Sequence, residues 1–117
     1  MATIRDLVGA IRQREGVEAA VVLGRDGLVI DGQSSGQVAA EDLAAHVPGI
    51  IHSADEFGRS AGRGSLATAV LEYPQGLAIV SVFSEDAMLL VLVHPSANIA
   101  QLLFELRRNR DHIAALV

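Results

Sequence analysis

The sequence contains no cysteine and no tryptophan, and its aromatic residues amount to three Phe and one Tyr. Without cysteine there is no disulfide framework, no thiolate metal site and no cysteine nucleophile, and a reducing, cytoplasmic setting fits. With so few aromatics there are no stacking platforms for single-stranded nucleic acid. The net charge of −5 also argues against the basic surface that neutralises phosphates, so the expected partners are proteins. Apolar residues make up 50% of the chain, yet no run approaches the ~18–20 residues of a membrane span. The longest, Ala87–Val93, is strand-length. The first residues carry no basic segment followed by an apolar one, so no secretory signal is expected. At 117 residues the chain is read as one domain, residues 1–117, able to bury a core without metal or disulfide.

What is present is organised around Val17–Asp31, VEAAVVLGRDGLVID. Two apolar runs, Ala19–Leu23 and Leu28–Ile30, flank Gly24-Arg25-Asp26-Gly27. Asp-Gly marks a tight reversal because these residues tolerate positive φ, so the stretch predicts a β-hairpin. Ala-Val-Val-Leu has no polar alternation, which predicts a first strand covered on both faces.

Upstream, Thr3 with Asp6 three residues on predicts a capped helix start, and Ile4, Leu7, Val8 and Ile11 form one helical face ending towards Gly16. Downstream, Asp31–Gly36 reads as a turn-rich loop. A second helix runs from about Val38 to between Gly58 and Gly62. Pro48-Gly49 interrupts its pattern, but Leu43, Val47 and Ile51 stay in register across the break, which predicts a single kinked helix. Ser65–Tyr73, Leu77–Phe83 and Ala87–His94 form a meander of three strands. The last helix follows Pro95-Ser96, with a face of Ile99, Leu102, Leu103, Leu106, the stem of Arg110, Ile113 and Val117. Ala87–Val93 is expected at the centre of the sheet; Ser65–Tyr73, with Thr68 and Glu72, is expected at an edge.

No constellation with catalytic spacing emerges. Gly58–Ser65 is glycine-rich but follows a helix and lacks the lysine of a phosphate loop, so it reads as a helix end and turn. His46 and His52 point to different sides of their helix, and His94 and His112 lack acidic neighbours at ligand spacing, so no metal is expected. There is no Gly-x-Ser-x-Gly elbow. Asp31, Asp55, Glu56, Glu85 and Asp86 read as solvated carboxylates on turns or polar helix faces. Arg59 and Arg63 read as cations suited to a helix C-terminus. The chain is therefore read as a non-enzyme, with no cofactor. The second helix stands apart: its apolar stripe from Leu43 to Phe57 is flanked by small residues. Three helices must divide two against one over a sheet, which leaves one face under-covered.

Three stretches carry a resemblance: GVEAAVVLGRDGLVIDG (16–32), AAEDLAAHVPGIIHSADEFGRSAG (39–62) and AMLLVLVHPSANIAQLLFELRRNRDHIAAL (87–116). In these the chain resembles the Roadblock/dynein light-chain family, in its bacterial MglB-like branch, departing from it at Pro48-Gly49. The resemblance implies an α+β sandwich of order αββαβββα. Its antiparallel sheet would have five strands in the order 2-1-5-4-3, with helices 1 and 3 on one face and helix 2 on the other. It implies a homodimer in which third strands and second helices of two copies meet. Leu43, Val47, Ile50, Ile51, Ala54, Phe57, Leu66, Thr68 and Val70 would then lie at the dimer or partner interface, some of them shared with the core. It further implies a non-enzymatic regulator or scaffold of a Ras-like small GTPase of MglA type. The alternative is a structural adaptor that dimerises and tethers proteins without affecting GTP turnover.

Overall fold

In a computed structural model, which describes residues 2–36 and 38–116, the hairpin forms two strands of a sheet that separates two helical layers. Helix α1 (Ile4–Arg12) leads into β1 (Val17–Gly24) and β2 (Val29–Ser34); α2 (Ala40–Ser60) follows, then β3 (Thr68–Tyr73), β4 (Gly76–Val82) and β5 (Ala87–Val93). The chain ends in α3 (Ile99–Arg108) and α4 (Arg110–Ala114). The five strands are ordered β2-β1-β5-β4-β3, with every neighbouring pair antiparallel, as the family resemblance implies. The most apolar strand, β5, lies at the centre, where both faces are covered.

Local chemistry explains most boundaries. Thr3 and Asp6 form a reciprocal capping box that satisfies two free N–H groups of α1. The turn closes with Gly27 N–H donating to the Gly24 carbonyl at 3.0 Å. Beyond it β2 continues to Ser34, so most of the expected loop from Asp31 is strand; Gly32 pairs with Val21 and Gln33 with Ala20. Sheet pairing supplied by β1 overrides the turn-forming tendency of Asp, Gly and Ser there. The helix α2 runs through Pro48. Proline removes the N–H that would meet the Ala44 carbonyl, and the hairpin turn packs at that point. A Cβ placed on Gly27 would stand 3.2 Å from Pro48 Cγ and 3.4 Å from the Ala44 carbonyl oxygen, so the bare Cα permits the close approach.

The strands alternate between two cores. Ala20, Val22, Ile79, Leu89 and Val91 point to the side of α1, α3 and α4, where they meet Val8, Ile11, Leu102, Leu106 and Ile113. Val21, Leu23, Val80, Met88 and Leu90 point to α2, where they meet Ala44, Val47 and Ile51. The two-against-one division of the helices is thus observed. The C-terminal helix departs from expectation: it breaks at Asn109, whose side chain donates to the Glu105 carbonyl at 2.9 Å, and restarts as α4. Val117, assigned to its apolar face, lies outside the described residues.

Candidate functional site

The surface built by α2 and β3 gathers most of the residues singled out in the sequence. On α2 the row Ala44, Val47, Ile51, Asp55 recurs at helical spacing and is buried against the sheet. Beside it, Ile50 and Phe57 are exposed, Phe57 to 75%, and Leu43 and Ala54 are half-buried. The backbone of α2 approaches β2 and β1 most closely, and towards its C-terminal end Asp55 bonds to Leu66, just ahead of the opposite edge strand, β3. It pairs with β4 in one uninterrupted register from Thr68↔Ser81 to Tyr73↔Gly76, and its outer side meets no further strand among the described residues.

The phase of β3 places its side chains in two groups. Ala69 and Leu71 pack on the α2 side together with Leu66 from the preceding loop. Thr68 and Val70 sit opposite Ser81 and Ile79 and so face the α1/α3/α4 layer, with Val70 exposed at the rim. Leu66 precedes the strand, so the alternation that would group it with Thr68 and Val70 does not extend back to it. Ala69 and Leu71 are the residues the sequence reading missed, and strand periodicity counted from Thr68 identifies them.

The connection from α2 to β3 is folded back tightly on the helix end. Arg63 N–H donates to the Gly58 carbonyl at 2.7 Å, and a Cβ on Gly58 would lie 2.5 Å from the Gly64 carbonyl oxygen. Asp55, expected to be solvated, is only 5% exposed because it continues the buried row of α2. Its Oδ1 accepts the Leu66 backbone N–H at 2.6 Å, and its Oδ2 accepts from Arg25, in the hairpin turn, at 3.3 Å. The Leu66 hydrogen bond holds the Asp55 carboxyl below its ordinary pKa against the opposing effect of desolvation, and the charges of Arg25 and Arg59 act in the same direction as that bond. From the other face of the sheet, Arg110 donates to the Val82 carbonyl at 3.3 Å, the Ala67 carbonyl at 3.5 Å and Thr68 Oγ1 at 3.1 Å.

The remaining candidates do not converge. His52 pairs with Glu56 at 3.1 Å on the exposed side of α2, His94 bonds to Ser96, and His46 and His112 are exposed. Among the described residues no group of three His, Cys, Asp or Glu is placed to hold a metal ion, and no helix is long and apolar enough to cross a membrane. Arg59 and Arg63 are exposed, Arg59 in the last turn of α2.

Comparison with known proteins agrees with this architecture. The family model described as Roadblock/LC7 domain matches residues 3–93. An uncharacterised protein of Methanocaldococcus jannaschii is 28% identical over 106 residues, covering 91% of this chain and 92% of that protein. Among solved structures, a Roadblock/LC7 domain from Streptomyces avermitilis superposes with a TM-score of 0.83 at 25% identity, covering 96% of this chain and 95% of that one. The gliding protein MglB of Thermus thermophilus superposes at 0.82 with 16% identity, covering 96% and 86%, a likeness of fold.

Proposed function

The chain belongs to the Roadblock/LC7 domain family, and from that premise we propose that it is a non-enzymatic homodimeric regulator or scaffold of a small Ras-like GTPase. In this reading residues 1–117 act as one domain. A second copy pairs with β3 about a two-fold axis, and the two α2 helices lie side by side as the platform for the GTPase.

The observation that carries the reading is a regular, open sheet edge, β3, in a domain whose α2 exposes an apolar row and reaches the approach to that strand through Asp55 and Leu66. The sheet has two edges, β2 and β3. Pairing of β2 with β1 is disturbed by an irregularity between Val22 and Leu23, and bulges of that kind discourage extension of a sheet. The register of β3 is regular throughout, and the strand contains neither proline nor lysine. Its open N–H and C=O groups match those of its own copy, so each favourable contact counts twice. Ile50, Ala54 and Phe57 on α2, with Leu66 and Val70 at the rim, supply the apolar part of such an interface. Leu43 and Thr68 lie at its margin, and Val47 and Ile51 support it from the core. Burying ~400 Å² of apolar surface per chain would contribute on the order of 10 kcal/mol per chain, offset in large part by the entropy of association.

The test is capture of an MglA-like GTPase, loaded with GDP or with a non-hydrolysable GTP analogue, followed by single-turnover hydrolysis. Nucleotide-dependent binding that changes the hydrolysis rate is the expected outcome. Binding without a rate change would favour the tethering adaptor instead, and binding in neither nucleotide state would contradict the GTPase reading.

A further inference from the structure

The entrance to β3, residues 66–68, is held from both faces of the sheet by charged side chains that belong to neither β3 nor its strand neighbour. On the α2 side the buried Asp55 carboxylate takes the Leu66 N–H at 2.6 Å. On the other side the Arg110 guanidinium reaches the Ala67 carbonyl and the Thr68 hydroxyl at 3.5 and 3.1 Å, and bonds the Val82 carbonyl of the adjoining strand at 3.3 Å. Backbone pairing alone leaves this segment weakly fixed. Leu66 lies ahead of the first paired residue, Thr68, and the Val82 N–H to Ala67 carbonyl bond at 2.9 Å is the remaining backbone link there.

We propose that Asp55 and Arg110 are positioning residues for the dimer edge. Together they fix where β3 begins and how it is inclined to α2, so that the open strand and the Ile50–Phe57 row present one continuous surface. This rests on the homodimer reading given above. Two further features fit the role. Asp55 is also bound by Arg25 of the hairpin turn at 3.3 Å, so the pin is braced against β1 and β2. Arg110 is the first residue of α4, directly after the break at Asn109, and its guanidinium reaches the strand ends. A charged pin is suited to the task. Hydrogen bonds to ionised groups are stronger than neutral ones, the Asp55–Leu66 bond at 2.6 Å being the short one here, and an edge strand has no second neighbour to hold it.

The variants that separate positioning from bulk stability are Arg110→Met, which keeps the aliphatic stem and removes every donor, Arg110→Lys, which keeps the charge on a single donating nitrogen, and Asp55→Asn. Each is examined as the full chain for dimer dissociation by sedimentation and for amide exchange along the sheet. The expected result is a dissociation constant raised at least ~10-fold in Arg110→Met and less in Arg110→Lys, with a few-fold increase in Asp55→Asn. Exchange at residues 66–70 should accelerate while β1 and β5 stay protected. Arg110→Met and Asp55→Asn dimerising like the wild type, with unchanged exchange at 66–70, would overturn the assignment. So would equal loss of protection across all strands in both, because that marks a general structural role. A wild type that stays monomeric removes the homodimer reading instead, and exchange at 66–70 in the variants still decides whether the two side chains hold this segment.

Discussion

The Oδ1 of Asp55 accepts the backbone N–H of Leu66 at 2.6 Å, so one buried carboxylate joins the inner face of α2 to the approach of the edge strand. Replacing Asp55 with Ala would leave that N–H without its partner and Arg25 without its counter-charge. The expected loss is about 2 kcal/mol, the scale of a buried hydrogen bond to a charged group. Urea unfolding of Asp55→Ala checks it, and a midpoint equal to that of the wild type would show that the bond carries no net stability.

The same carboxylate gives a pH dependence whose sign is fixed. Its folded-state pKa is depressed, first by the Leu66 N–H and also by Arg25 and Arg59. Its contribution is therefore complete above the unfolded-state pKa and lost as pH falls through the folded one. Between about pH 5 and pH 2.5, where Asp residues titrate, the wild type should lose stability more steeply than Asp55→Asn. Parallel curves for the two proteins would contradict this.

Gly58 sets helix propensity against space. Alanine is the better helix former by about 1 kcal/mol, but its Cβ would stand 2.5 Å from the Gly64 carbonyl oxygen, and backbone cannot yield as a side-chain tip can. The steric term should win, with Gly58→Ala less stable than the wild type by about 1–3 kcal/mol. A stabilised Gly58→Ala protein would mean that the α2–β3 connection moves away freely.

Ser81, fully buried on β4, has a hydroxyl with no hydrogen-bond partner among the described residues. A buried unpaired hydroxyl is costly, so Ser81→Ala should be at least as stable as the wild type, by up to about 1 kcal/mol. Thermal unfolding checks this; a marked loss of stability would reveal a partner for the hydroxyl.

Phe57 separates interface from core. Its ring is 75% exposed, so Phe57→Ser should unfold at nearly the same denaturant concentration when measured as a monomer. Its dimer should nevertheless weaken by ~10-fold or more, about 1.4 kcal/mol, because a truncation at a two-fold interface is felt twice. Sedimentation over a dilution series reports it, and an unchanged dissociation constant would place the contact elsewhere.

Much of this architecture was legible in the residues. Apolar runs without alternation located β1 and β5 between two helical layers, and the Thr3–Asp6 pair marked the start of α1. What escaped depended on phase and on tertiary partners. Asp55 reads as a polar helix residue, yet it stands four residues after Ile51 in the row that faces the sheet, and its burial becomes tolerable only because Leu66 and Arg25 meet it. Arg110 reads as part of the apolar face by its stem, but its carbonyl partners, Val82 in β4 and Ala67 just ahead of β3, lie more than 25 residues earlier in the chain, a relation no local pattern contains. The strand character of Asp31–Ser34 likewise comes from pairing with β1 rather than from intrinsic preference.

Concentration-dependent amide exchange of Thr68–Tyr73 tests the central claim most directly. If β3 pairs with its own copy, its outward N–H groups should be protected at high micromolar concentration and should exchange rapidly on dilution below the dissociation constant, while β5 remains protected throughout. Exchange of Thr68–Tyr73 that is fast and independent of concentration would contradict pairing through this edge, and with it the dimeric platform proposed for the GTPase.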